Sequence, residues 1–95
     1  MVTVFIPGPM RSFSDGRDRV EVEGRNLRQV IEHLDEACPG IKSQLLEDGD
    51  IRPGLAIAVN DVLTTQGLIE QVPEDGTVLI LPAVGGGDRT VSAGL

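Results

Sequence analysis

Val78-Leu79-Ile80-Leu81-Pro82-Ala83-Val84-Gly85-Gly86-Gly87 is the stretch whose reading decides the fold. Residues 78–81 form a short apolar run, and Glu74-Asp75-Gly76 supplies a turn before it. That length and flank suit a buried strand better than a helix. Pro82 has no N–H to give to a ladder, so regular pairing is expected to end there. Three glycines follow, with no side chain and little backbone restriction. A buried strand therefore feeds a thin extended arm, a shape suited to entering the narrow active site of another protein.

Outward from this stretch, residues 88–95 read as a polar, small-residue tail expected to be disordered. Upstream, residues 55–59 are strongly apolar and read as a strand closed by Asn60-Asp61, two residues tolerant of left-handed turns. Residues 62–72 read as a loop with a short strand near 68–72. The β-branched and aromatic run at 2–6, closed by Pro7-Gly8-Pro9, reads as the first strand. Residues 10–18, with Ser14, Asp15 and Gly16, read as a turn. Alternation around Val20 and Val22 makes 19–23 a half-buried second strand, hairpinned to the first.

Gly24 breaks that strand and Asn26 is a plausible helix N-cap. Leu27, Val30, Ile31, Leu34 and Ala37 then recur at helical spacing, with Arg28, Gln29, Glu32, Asp35 and Glu36 mostly on the other face. Pro39-Gly40 ends the helix. Residues 41–46 read as a helical turn, 47–50 as an exposed acidic loop, and Pro53-Gly54 as its end. One helix with one apolar face needs a sheet to cover. The element order predicts an α+β chain of the β-grasp arrangement, a mixed sheet of four to five strands with one main helix on one face. The expected divisions are a domain at 1–84, a glycine arm at 85–87 and the tail at 88–95.

Ninety-five residues make one domain. A chain this long buries roughly 60–65% of its unfolded surface, which excludes a core plus a large enclosed substrate pocket. Fifteen acids against eight Lys and Arg leave a net charge of −7, which argues against nucleic acid and for partners with basic surfaces. The single cysteine excludes a disulfide framework and a cysteine-rich zinc site, and fits a reducing compartment. No signal pattern or membrane-length apolar run is present, so a soluble cytoplasmic protein is expected.

The inventory gives little to catalysis. His33 beside Leu34 reads as an exposed surface residue, and Cys38 before Pro39 as a small semi-buried hydrophobe. The carboxylates at Glu47-Asp48 and Glu74-Asp75 flank turns, so they read as solvated, with no cleft to pair them. Gly85-Gly86-Gly87 lacks the Gly-Lys-Ser/Thr and following helix of a phosphate loop. No metal site is expected. Leu79, Leu81, Pro82 and Val84, on or beyond the exposed side of the last strand, are candidates for a partner interface. The competing reading of Leu79 and Leu81 packs them under the helix or a loop.

Residues 81–87 resemble the C-terminal signature of the MoaD/ThiS sulfur-carrier family, typically Pro-Pro-Val-(Ala/Ser)-Gly-Gly. Val59-Asn60-Asp61 resembles its Val-Asn-Gly turn and Cys38-Pro39-Gly40-Ile41 its Tyr-Pro-Gly-Leu helix end. Arg52-Pro53-Gly54 fits the segment before its third strand. Each motif is short, and their order from residue 2 to 87 is what makes them specific.

The resemblance implies a carrier rather than an enzyme. Gly87 would be adenylated by a ubiquitin-activating-like adenylyltransferase that uses ATP, then converted to a thiocarboxylate. Gly85, Gly86 and Gly87 would enter the active site of a sulfur-accepting synthase subunit. The chain itself would bind no cofactor. Helix end and Arg-Pro-Gly segment look closer to the molybdopterin-type small subunit than to the thiamin carriers, with cysteine and specialised metabolites as further pathways.

Two departures stand out. Asp61 replaces the family glycine, and residues 88–95 leave the Gly87 carbonyl in an amide. A tail-processing metalloprotease cutting between Gly87 and Asp88 is therefore expected. A removable tail also suits a ubiquitin-like modifier conjugated to lysines through Gly87, and a plain interaction domain is a third reading.

Overall fold

The computed structural model describes residues 1–82. Strand β1 (Val2–Phe5) turns Val2 and Val4 into the core and Thr3 and Phe5 to the other face. It pairs antiparallel with β2 (Arg19–Val22), Val2 opposite Val22 and Phe5 opposite Arg19, so the expected hairpin is present. The connection is more ordered than the turn read at 10–18. Gly8–Ser14 is a 3-10 helix with Pro9 in its first turn, and Met10 and Ser14 are buried. The Ser14 hydroxyl is held by the Arg17 and Arg11 carbonyls at 2.7 and 3.1 Å, which explains a buried serine. A 3-10 turn has no apolar period long enough to read in sequence.

Helix α1 (Leu27–Ala37) starts where the N-cap places it, the Asn26 side chain accepting from the Gln29 N–H at 2.9 Å. Gln29 in return accepts from the Arg25 N–H at 2.9 Å. Leu27, Val30, Ile31 and Leu34 are buried, but Ala37 is exposed and Cys38 takes its expected place in the core at 0% exposure. Cys38 is thus fully buried rather than semi-buried, because the chain leaves helical geometry there and turns its side chain inward. After Gly40 (φ 98°), α2 (Ile41–Leu45) buries Ile41 and Leu45. Asp35 accepts from the Gly40 and Lys42 N–H groups, both at 3.1 Å, and so caps the start of α2.

Residues 47–50 are exposed and acidic as expected, yet they are not a free loop. Strands β3 (Leu46–Glu47) and β4 (Asp50–Ile51) pair around Asp48-Gly49, both at positive φ (56° and 80°), the geometry of a two-residue hairpin. Asn60 and Asp61 (φ 50° and 69°) make the same turn after β5 (Leu55–Val59), returning the chain directly as β6 (Val62–Leu63). The short strand lies there and not at 68–72. Leu68 and Val72 are buried from a Gly67–Ile69 3-10 turn and a single bridge between Gln71 and Asn26, so their apolar signal marks core rather than sheet.

Strand β7 (Thr77–Pro82) is the sheet's middle: the order is β2-β1-β7-β5-β6. It runs parallel to β1 and antiparallel to β5. The result is a mixed five-stranded sheet with α1 on one face, as the sequence predicts. Val78 and Ile80 join Val2, Val4, Ile57, Leu27 and Leu34 in the core between sheet and helix.

Candidate functional site: the end of the central strand and its open face

Alternation along β7 sorts its side chains. Val78 and Ile80 are 2% and 4% exposed beneath α1, whereas Leu79 is half-buried and Leu81 is 38% exposed on the opposite face. Leu79 and Leu81 therefore lie on the face away from α1 and do not pack under the helix. Register adds neighbours that the sequence reading missed. Phe5, Leu79, Ala58 and Leu63 stand side by side across β1, β7, β5 and β6, and Leu81 faces Ala56 in the next row. Leu63 is 57% exposed, while Ala58 beside it is only 4% exposed. The strip is confined to the half of the sheet near the end of β7; toward the other end the row is Glu21, Thr3 and Thr77. The off-core alternation of Thr3/Phe5 and Ala56/Ala58 was the available signal.

Pro82 does not stop pairing before itself. It is the last residue of β7, opposite Leu55. Parity explains why. Asn60 N–H donates to the Thr77 carbonyl at 2.9 Å, and bonded pairs recur at every second residue of an antiparallel ladder. Leu79 and Leu81 thus bond to β5, and the Pro82 nitrogen points away from it. On that other side the pairing with β1 has already ended at Phe5 opposite Leu79. The missing N–H leaves no ladder bond unmade. Val84, Gly85, Gly86, Gly87 and Asp88 lie outside the described residues, as does the expected boundary at 84.

Nothing else described offers chemistry of its own. His33 is exposed and its Nδ1 meets the Glu23 carbonyl, with no carboxylate or hydroxyl to complete a relay. Burial pushes the Cys38 thiol up from its ordinary value, with Asp15 and Asp35 adding to the rise and Arg17 opposing it. A buried thiol held neutral is a poor nucleophile. No group of three His, Cys, Asp or Glu side chains among the described residues is placed to hold a metal ion. A concavity of about 550 Å³ lies among Met1, Val2, Glu23, Gly24, Arg25, Gln71, Val72 and Glu74, at the end of the sheet away from Pro82. No described helix is long and apolar enough to cross a membrane.

The comparisons agree with this geometry. The ThiS family profile matches residues 4–87, the span from β1 to the third glycine. The sulfur carrier protein CysO of Mycobacterium tuberculosis is 35% identical over 91 residues, covering 90% of this chain and 98% of that one. Among solved structures, CysO from the BexX/CysO complex of Amycolatopsis orientalis superposes with a TM-score of 0.87 at 32% identity, covering 92% of this chain and all of that one. The crystal structure of M. tuberculosis CysO gives 0.84 at 32% identity over 88% and 100% of the two chains. With the β-grasp sheet, the central last strand and the glycines that follow it all inside the matched span, the chain belongs to the ThiS family.

Proposed function

We propose that this protein is a sulfur carrier whose working group is the carboxylate of Gly87, freed by removal of residues 88–95. The observation that supports this most is the placement of β7. It is anchored by Val78 and Ile80 between two partner strands, and it delivers the chain to the sheet's end five residues before Gly87. A rigid root fixes where those last residues begin, and glycines offer a partner's active site no side chains to accommodate.

The chemistry follows from the carboxylate. It is a poor electrophile until an oxygen attacks the α-phosphate of ATP, releasing pyrophosphate and leaving a mixed anhydride. The terminal sulfur of a persulfide donor then displaces AMP to give an acyl disulfide, and a second thiol of the donor protein cleaves its S–S bond, leaving the thiocarboxylate on the carrier and a disulfide on the donor. The partner adenylyltransferase binds ATP and supplies the catalysis, and this chain supplies position. The amide at Gly87-Asp88 has no such carboxylate, so hydrolysis of that bond by a processing metalloprotease comes first. The strip formed by Phe5, Leu79, Leu81, Ala56, Ala58 and Leu63 is where the activating and sulfur-accepting partners would seat, continuous with the arm they must receive. The relatives described above are CysO carriers rather than molybdopterin synthase subunits, so the molybdopterin leaning of the motifs gains no support from them.

The test is intact-mass analysis of the chain recovered from its native host under sulfur demand. The expected product ends at Gly87 and carries the mass gain of one oxygen replaced by sulfur. A chain that stays full-length would overturn the proposal. A ladder of larger conjugates without the thiocarboxylate would assign the protein to lysine modification instead.

A further inference from the structure

One charged side chain lies in line with the apolar strip. Arg19 on β2 is directly opposite Phe5, which is opposite Leu79, so it extends the Phe5, Leu79, Ala58 and Leu63 row to the sheet's edge. The β2 pattern buries Val20 and Val22 and leaves Arg19 and Glu21 on the open face. Two strand spacings put the root of Arg19 about 10 Å from Leu79, within reach of one interface. Of the other described basic side chains, Arg25 and Arg28 stand off this row, before α1 and on its exposed side, and the remaining four are engaged elsewhere. Lys42 pairs with Glu32 at 2.6 Å and Arg52 with Glu47 at 3.3 Å, while Arg11 and Arg17 each donate through Nε to a backbone carbonyl at 3.0 Å. Arg19 has no carboxylate within ion-pair distance among the described residues, although Glu21 follows it on the same face. Glu21 stands instead in the polar row with Thr3 and Thr77. The edge thus reads positive beside the apolar half and negative beside the polar half.

We propose that Arg19 selects the partner protein of this face: an apolar surface bordered by a carboxylate that meets the guanidinium. This rests on the sulfur-carrier reading and names the chemistry of the partner's contact. It also separates two electrostatic roles. The net charge of −7 draws a basic partner from a distance, whereas Arg19 at short range accepts one orientation, with the partner's acid on the β2 side. A partner that docked with a basic group against β2 would meet a like charge beside a desolvated strip.

The experiment uses chains ending at Gly87 and the adenylating enzyme purified from the native host by its ATP–pyrophosphate exchange on the unsubstituted chain. Arg19→Glu is compared with Arg28→Glu, an equal change of net charge on the exposed side of α1, the layer behind the sheet. Arg19→Glu should lower kcat/KM for exchange by about tenfold or more, with the loss shrinking as salt is raised, while Arg28→Glu stays within about twofold. Arg19→Lys should keep most of the activity, and Arg19→Gln should fall between. Unchanged thermal unfolding of each variant confirms that the fold is intact. Equal effects of Arg19→Glu and Arg28→Glu, or no effect of either, would overturn the Arg19 assignment and leave the carrier reading standing. Failure of the host to adenylate even the unsubstituted chain would sink the carrier reading, and the inference with it.

Discussion

Gly24 marks how closely the end of β2 approaches α1. A Cβ built there would lie 2.7 Å from Val30 Cγ2 and 2.8 Å from the Val30 nitrogen. Gly24→Ala should therefore destabilise the fold by about 1–3 kcal/mol, read as a shift of the urea midpoint, because backbone has to move. The sequence marked Gly24 as a strand breaker, but the close approach behind it needed the packed helix to be seen. Cys38 gives a pH prediction. Desolvation raises its thiol above the ordinary 9.0, so the folded chain keeps a proton that the unfolded chain releases. This contribution is fully present below pH 9 and is lost as pH rises from there toward the folded-state value. Stability should fall by at most about 1.4 kcal/mol per pH unit in that window. Cys38→Ala should remove this alkaline slope while lowering stability at neutral pH through the small cavity it leaves. Alkaline denaturation curves of the two proteins check both effects. That this cysteine is core was half legible: its type favours burial, but its position one residue past the helix hid how complete the burial is.

Among the elements, β7 packs one face into the core and, on the proposed reading, offers the other to partners, and adjacent positions separate the two. Ile80→Ala empties core beneath α1 and should cost about 2–5 kcal/mol of stability. Leu81→Asp, one residue on and facing out, should cost about 1 kcal/mol or less, yet weaken partner binding by about tenfold or more. Denaturant unfolding beside calorimetric titration with the activating enzyme distinguishes them. A Leu81→Asp chain that binds normally would remove the strip from the site. The longer elements were readable: β1, β2, α1, β5 and β7 fall where apolar runs, alternation or helical spacing put them, within a residue or two. The two-residue strands β3, β4 and β6 were not, because they have no period of their own. Paired left-handed turns create them, at Asp48-Gly49 and at Asn60-Asp61, and only the latter was recognised as turn chemistry.

For the whole molecule, the carrier proposal turns on a free carboxylate at Gly87. A chain ending in Gly87→Phe should unfold at the same temperature as the Gly87 chain but accept no AMP or sulfur, since a partner channel shaped for glycine has no room for the ring. Pyrophosphate exchange and intact mass read the result; normal loading would show that the terminal glycine is not selected. The fold class was legible because consecutive signals agreed along the chain, strand pair, helix, strand and final strand, each with its own turn residues. The proposed interface was legible only in part. Leu79 and Leu81 lie on a strand recognisable from sequence, whereas Phe5, Ala58 and Leu63 join them through a parallel pairing and a hairpin that bring distant positions into one row.

That parallel pairing has a mechanical consequence. Thr3 to Phe5 grip β7 on one flank and β5 grips it on the other, so tension on the arm is directed along the strand. Its rungs share such a load in shear and do not peel one after another. A partner pulling along β7 would load both ladders together, and withdrawal after turnover should leave the sheet unbroken.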